Sequence, residues 1–123
     1  MIATMGALLV GGVAGTFARY LVASAAFGLL GGWLPWGTLV VNLTGCFLIG
    51  LFDAAAQRKG FGGPHGRMLL MTGFCGAYTT FSALILECDL LLRTAPLRGA
   101  VYVLISVAAG LTLFRAGVLV GGA

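Results

Sequence analysis

The chain has 123 residues, of which 60% are hydrophobic and 8% are charged, and its formal net charge is +4. Ordinary soluble domains carry about 25% charged residues, and so short a chain cannot bury this much apolar surface in its own core. The composition therefore excludes a soluble domain and predicts an integral membrane protein. The apolar residues form long runs and not ten-residue alternations, so the predicted spans are helices.

The basic residues and the cysteines also exclude some functions. Lys and Arg are spread along the chain without a run or interleaved aromatic residues, which argues against nucleic-acid binding. Cys46, Cys75 and Cys88 all lie inside apolar runs without a Cys-x-x-Cys spacing. We expect small buried side chains there, and neither disulfides nor a metal site.

Four apolar segments are long enough to cross a bilayer, which takes about 20 residues per helix. The connections between them are short, so we expect one domain over residues 1–123, made of four antiparallel transmembrane helices. The segments cover approximately residues 2–30, 36–56, 67–92 and 97–121.

The first two segments carry few polar residues. Arg19 lies inside the first segment, where it is either a functional residue or an anchor that snorkels to the interface. Gly11 and Gly15 have the spacing of a close helix contact. In the second segment Thr38 and Asn42 share a helix face. An Asn at this depth needs a partner, which is a neighbouring helix or a passing solute.

The third segment contains a stretch that is a poor helix. Residues 60–66 before it, including His65, are expected to form a loop. Gly73 and Gly76 each cost about 1 kcal/mol relative to Ala in a helix, and Thr79 and Thr80 are β-branched. We predict a helix broken at membrane depth, which either allows close packing or forms a polar site.

Polar groups continue beyond the break. Glu87 lies toward the far end of the third segment, and Tyr102, Ser106 and Gly110 follow one stripe of the fourth. The residues contain no catalytic set, so an enzyme is not expected. Amide and hydroxyl donors beside an aromatic ring edge suit a small dehydrated anion, and freed backbone carbonyls suit a cation. The pattern therefore favours an anion path beside a structural cation site.

The charges of the connections differ little between the two sides of the membrane, which predicts a chain able to insert in both orientations. One side holds Arg58, Lys59 and Arg67, with Arg115 nearby, and the other holds Arg93 and Arg98.

Three motifs together resemble the Fluc/CrcB family of small fluoride channels. They are Gly11–Gly15 with Arg19, Gly37–Gly45, and Gly73–Ser82, which reads GFCGAYTTFS. The resemblance implies an antiparallel, dual-topology homodimer in the inner membrane that passes fluoride through two pores. It also implies a structural sodium ion at the dimer centre, held by the backbone carbonyls of Gly76 and Thr79.

The resemblance assigns roles to further residues. It places a Thr and a Glu at the pore mouth and a polar track on the fourth helix, where Gly110 lacks a hydroxyl common in the family. The second pore phenylalanine of the family is replaced by Leu84, which leaves a heterodimer with a homologue as an alternative. The implied fluoride-pore residues are Asn42, Phe81, Leu84, Thr80, Ser82, Thr38, Tyr102, Ser106 and Glu87.

Two functions from other classes remain open at this stage. A small multidrug-type proton antiporter also has four helices, but it requires an acid deep in the first helix, and residues 1–36 contain none. A membrane scaffold that assembles through its glycines would conduct nothing.

Overall fold

The structure is a computed structural model that describes residues 1–123. Its four long helices are apolar enough to cross a membrane, and no strand is present. The predicted all-helical membrane fold is therefore confirmed. The helices are α1 (Ile2–Leu30), α2 (Trp36–Lys59), α3 (Gly63–Thr94) and α4 (Pro96–Gly122).

The predicted boundaries were wrong around the second connection. Helix α2 continues to Lys59 and ends where Gly60 adopts a left-handed conformation, with φ at 61°. Helix α3 then begins at Gly63 with Pro64 in its first turn, where a missing backbone N–H costs nothing. His65 thus lies in a helix and not in the expected loop. The connection is shorter than the sequence predicted.

Helix α3 consists of two arms, which confirms the predicted break. The first arm, α3a (residues 63–78), widens into a π-helix over Met68–Cys75 and returns to α-helix over Gly76–Tyr78. Thr79 and Thr80 are then extended, with ψ of 159° and 117°. The second arm, α3b, covers Phe81–Thr94.

Glycines allow the helix backbones to approach closely within the chain. A Cβ on Gly11 would overlap the carbonyl oxygen of Leu69, and one on Gly15 would overlap that of Phe74. The predicted small-residue contact on α1 is therefore real, and it joins α1 to α3a. Gly117 of α4 packs in the same way on α2.

The two arms of α3 pack on different neighbours. Helix α2 lies between α1 and α4, α3a packs mainly on α1, and α3b packs on α4. Polar contacts close both ends of the bundle: Arg67 pairs with Asp53 at 3.2 Å, and Arg98 donates to the Trp33 carbonyl at 3.3 Å. The break between the arms lies against the N-terminal half of α2, beside Asn42 and Gly45.

Candidate functional site: a cavity at the helix break

Asn42 holds the extended backbone at the break. Its Nδ2 donates to the Thr80 carbonyl at 3.0 Å, and its Oδ1 accepts the Thr80 N–H at 2.7 Å. These bonds replace the helical bonds that extended residues cannot make, which a break inside a membrane requires. Asn42 is therefore helix–helix glue in this structure. One of its two amide hydrogens remains free for another acceptor.

Side chains at the break begin the second arm. The Thr80 hydroxyl accepts the Ala83 N–H at 3.2 Å, as the N-cap of α3b. It also lies 3.3 Å from the Ser82 hydroxyl. The Thr79 hydroxyl instead bonds back to the Cys75 carbonyl at 2.9 Å. The predicted hydroxyls are thus present at the break, and two of them are in contact.

A cavity of about 260 Å³ opens beside the break. It brings together five predicted pore residues from three helices: Asn42, Thr80, Phe81, Leu84 and Ser106. The Ser106 hydroxyl is buried and has no hydrogen-bond partner within the chain. Phe81 is 74% exposed, so its ring is free to contact another molecule. The cavity therefore combines unpaired donors with an aromatic wall.

A second cluster forms around the carboxylate of Glu87. The Thr38 hydroxyl donates to one of its oxygens and the Tyr102 hydroxyl to the other, both at 2.6 Å. Tyr102 is completely buried. This cluster joins α2, α3b and α4. Tyr102 bonds to Glu87, whereas Ser106, one turn further along the same stripe of α4, lines the cavity.

Arg19 lies in a third place, an open groove of about 410 Å³ between α1 and α2. Thr38 and Thr80 line the same groove. The guanidinium makes no ion pair within the chain. It therefore stands beside the predicted pore mouth as an uncompensated positive charge.

The end of α3a has the chemistry of a cation site. Because the Thr80 N–H goes to Asn42, the carbonyl of Gly76 loses its helical donor. Gly76 is exposed, and a Cβ added there would meet only the Met71 carbonyl within 4 Å. Carbonyls at the C-terminal end of a half-helix carry partial negative charge and coordinate Na⁺ in other membrane proteins. The Gly76 carbonyl is therefore available to a cation.

Sequence patterns did not assign several cavity residues to the pore, Cys46 among them, and they missed one contact of the break. Cys46, predicted to be a small packed side chain, is partly exposed and lines the cavity. It follows Asn42 by one helical turn, and that spacing was the available signal. Tyr78 lies just before the break, where its hydroxyl is 2.8 Å from that of Thr44 and its ring stacks on Phe74.

Four helices that are long and apolar enough to cross a membrane indicate a multi-pass membrane protein, and a membrane helix broken beside a cavity is typical of channels and transporters. The family model "CrcB-like protein, Camphor Resistance (CrcB)" matches residues 6–118. The chain therefore belongs to the CrcB family, as its motifs predicted.

Several relatives bear the name "Fluoride-specific ion channel FluC". The protein from Rhizobium etli is 41% identical over 112 residues, which are 90% of each chain. That from Rhizobium johnstonii is 42% identical over 111 residues, or 89% of each chain. A third, from Allorhizobium ampelinum, is 44% identical over 112 residues and 90% of each chain.

Proposed function

We propose that this chain is a fluoride channel that lets fluoride leave the cytoplasm passively through the inner membrane. The observation that carries the proposal is the cavity at the helix break, where unpaired donors and an exposed phenylalanine meet. The names of the relatives support the choice of ion.

The donors in the cavity replace water around the ion. A small anion loses its hydration shell on entering the membrane, and the path must supply hydrogen bonds in exchange. The free amide hydrogen of Asn42 and the buried hydroxyl of Ser106 supply them here. Thr80 and Ser82 offer further hydroxyls, and the edge of the Phe81 ring carries partial positive charge.

Charges near the groove set the approach of the anion. The unpaired Arg19 raises the local anion concentration at the groove that it shares with Thr38 and Thr80. Glu87 would oppose this effect. Its two carboxylate oxygens accept hydrogen bonds from Thr38 and Tyr102, one each. These bonds hold the carboxylate at a fixed position, at the pore mouth that the family resemblance implies.

The working unit is an antiparallel homodimer with two pores. The exposed Gly76 and Phe81 belong to the surface that a second copy would cover. When bound, a sodium ion at the dimer centre would neutralise the partial negative charge of the α3a ends. The carbonyls of Gly76 and Thr79 from both copies would hold it.

Leu84 stands where the family has the second phenylalanine of the pore. This substitution raises the question whether the chain pairs with a second copy of itself or with a homologue. It lines the cavity together with Phe81. We favour a homodimer over a heterodimer, because Asn42, Phe81 and the extended Thr79–Thr80 segment are all present.

Efflux from liposomes containing the purified chain separates this function from its alternatives. With equal pH on both sides, a channel releases fluoride once valinomycin removes the opposing potential. A proton-coupled antiporter would carry protons in as fluoride leaves, so the liposome interior would become acidic in step with release. A scaffold releases no more fluoride than empty liposomes. Fluoride release with a matching pH change inside the liposomes, or no fluoride release above that of empty liposomes, would overturn the proposal.

A further inference from the structure

We propose that Cys46 lines the anion path and that its thiol contacts the anion one helical turn beyond Asn42. This inference rests on the proposed channel function. Cys46 lies one turn after Asn42 on α2 and borders the same cavity. It is partly exposed, whereas Cys75, which also borders the cavity, is only 1% exposed.

The surroundings of Cys46 explain what the thiol does there. Its Sγ lies 3.5 Å from the position that a Cβ on Gly110 would occupy. Because Gly110 has no side chain, the thiol of α2 lies close to the backbone of α4. The neighbouring Ser106 hydroxyl is buried without a partner, although buried hydroxyls are ordinarily bonded. A small anion between the two helices would accept hydrogen bonds from both Ser106 and Cys46.

The Cys46 thiol and the Ser106 hydroxyl differ in hydrogen-bond strength. A thiol is a weaker hydrogen-bond donor than a hydroxyl. It therefore contacts the anion weakly, which is compatible with conduction through successive sites. A serine at this position should support conduction, whereas a larger apolar side chain should obstruct the cavity.

The thiol also offers a direct chemical test. Methyl methanethiosulfonate reacts with a thiolate to form a protein–S–S–CH₃ disulfide. The Cys46–sulfur bond forms as the reagent's S–S bond breaks, methanesulfinate leaves, and the thiol proton passes to water. The added group would project into the cavity that Cys46 lines. Fluoride efflux before and after treatment then reports whether Cys46 lies on the path.

The experiment compares the wild-type chain with Cys46→Ser, which keeps Cys75 and Cys88 and so reveals reaction at those thiols. We expect treatment to lower wild-type efflux at least about tenfold by obstructing the path, and to leave Cys46→Ser unchanged. Mass spectrometry identifies the labelled cysteine, and Cys46→Leu tests obstruction without chemistry.

Three results would overturn the inference: no labelling of Cys46, equal inhibition of Cys46→Ser, or labelled wild type with unchanged efflux. Each of these leaves the proposed function standing if untreated protein conducts. If the untreated protein releases no fluoride, the proposed function itself fails.

Discussion

Asn42→Ala tests whether one side chain both holds the helix break and serves the anion. The substitution removes both hydrogen bonds to the Thr80 backbone, at 3.0 and 2.7 Å, and it removes the free amide hydrogen. Thr80 is left with a backbone donor and acceptor that no neighbouring residue satisfies. We expect both the stability of the break and the fluoride flux to fall.

The size of the effect follows from these two bonds. Side-chain hydrogen bonds between membrane helices are worth about 0.6 to 1.7 kcal/mol each. Removing both should lower the unfolding free energy by about 1 to 3 kcal/mol. The chain should still fold, because the glycine contacts between α1 and α3a and between α2 and α4 are unaffected.

The assay combines equilibrium unfolding in detergent with fluoride efflux from liposomes. Thr112→Val is the matched control, because its hydroxyl bonds only to the Ala108 carbonyl of its own helix. Unchanged stability of Asn42→Ala would refute the role of these bonds in holding the break. Dissociation of the dimer with normal flux in the remaining dimers would show that Asn42 is glue alone.

Three other substitutions give further tests. Gly11→Ala should lower the unfolding free energy by about 1 to 3 kcal/mol through overpacking, while Gly12→Ala, with no atom within 4 Å of its new Cβ, should be neutral in the same unfolding assay. Gly76→Val should weaken the dimer, whereas Thr79→Ser should be tolerated, because carbonyls and not side chains would hold the cation. Size-exclusion chromatography measures the dimer. Equal dimer stability of Gly76→Val and wild type would contradict the central sodium site. Leu84→Phe should change efflux by less than about tenfold, because an aromatic contact is worth about 1 kcal/mol; a silent wild type that only a co-expressed homologue activates would establish the heterodimer.

The sequence predicted the fold well because bilayer burial leaves a strong local signal. Long apolar runs located all four helices, and the start of α1 and α2 was predicted to the residue. The break was visible because glycines and β-branched threonines are poor helix formers in any context. The π-helix over Met68–Cys75 was not predicted, since it arises where α3a packs on Gly11 and Gly15 of α1.

The candidate site was predicted as a set of residues but not as an arrangement. Helical spacing correctly placed Tyr102 and Ser106 on one stripe, but it could not show that Tyr102 bonds to Glu87 while Ser106 borders the cavity. Helical periodicity also could not identify the hydrogen-bond partner of Asn42, because Thr80 is 38 residues further along the chain. Such pairings depend on how the arms of α3 cross α2, which only the tertiary structure shows.

The central claim is that this chain alone conducts fluoride selectively, and anion efflux from liposomes tests it most directly. Purified chain would be reconstituted with fluoride or with chloride inside, at equal pH on both sides, and release would be followed with ion-selective electrodes after valinomycin. We predict rapid fluoride release with chloride release no faster than from empty liposomes. Equal release of the two anions, or no fluoride release, would contradict the account.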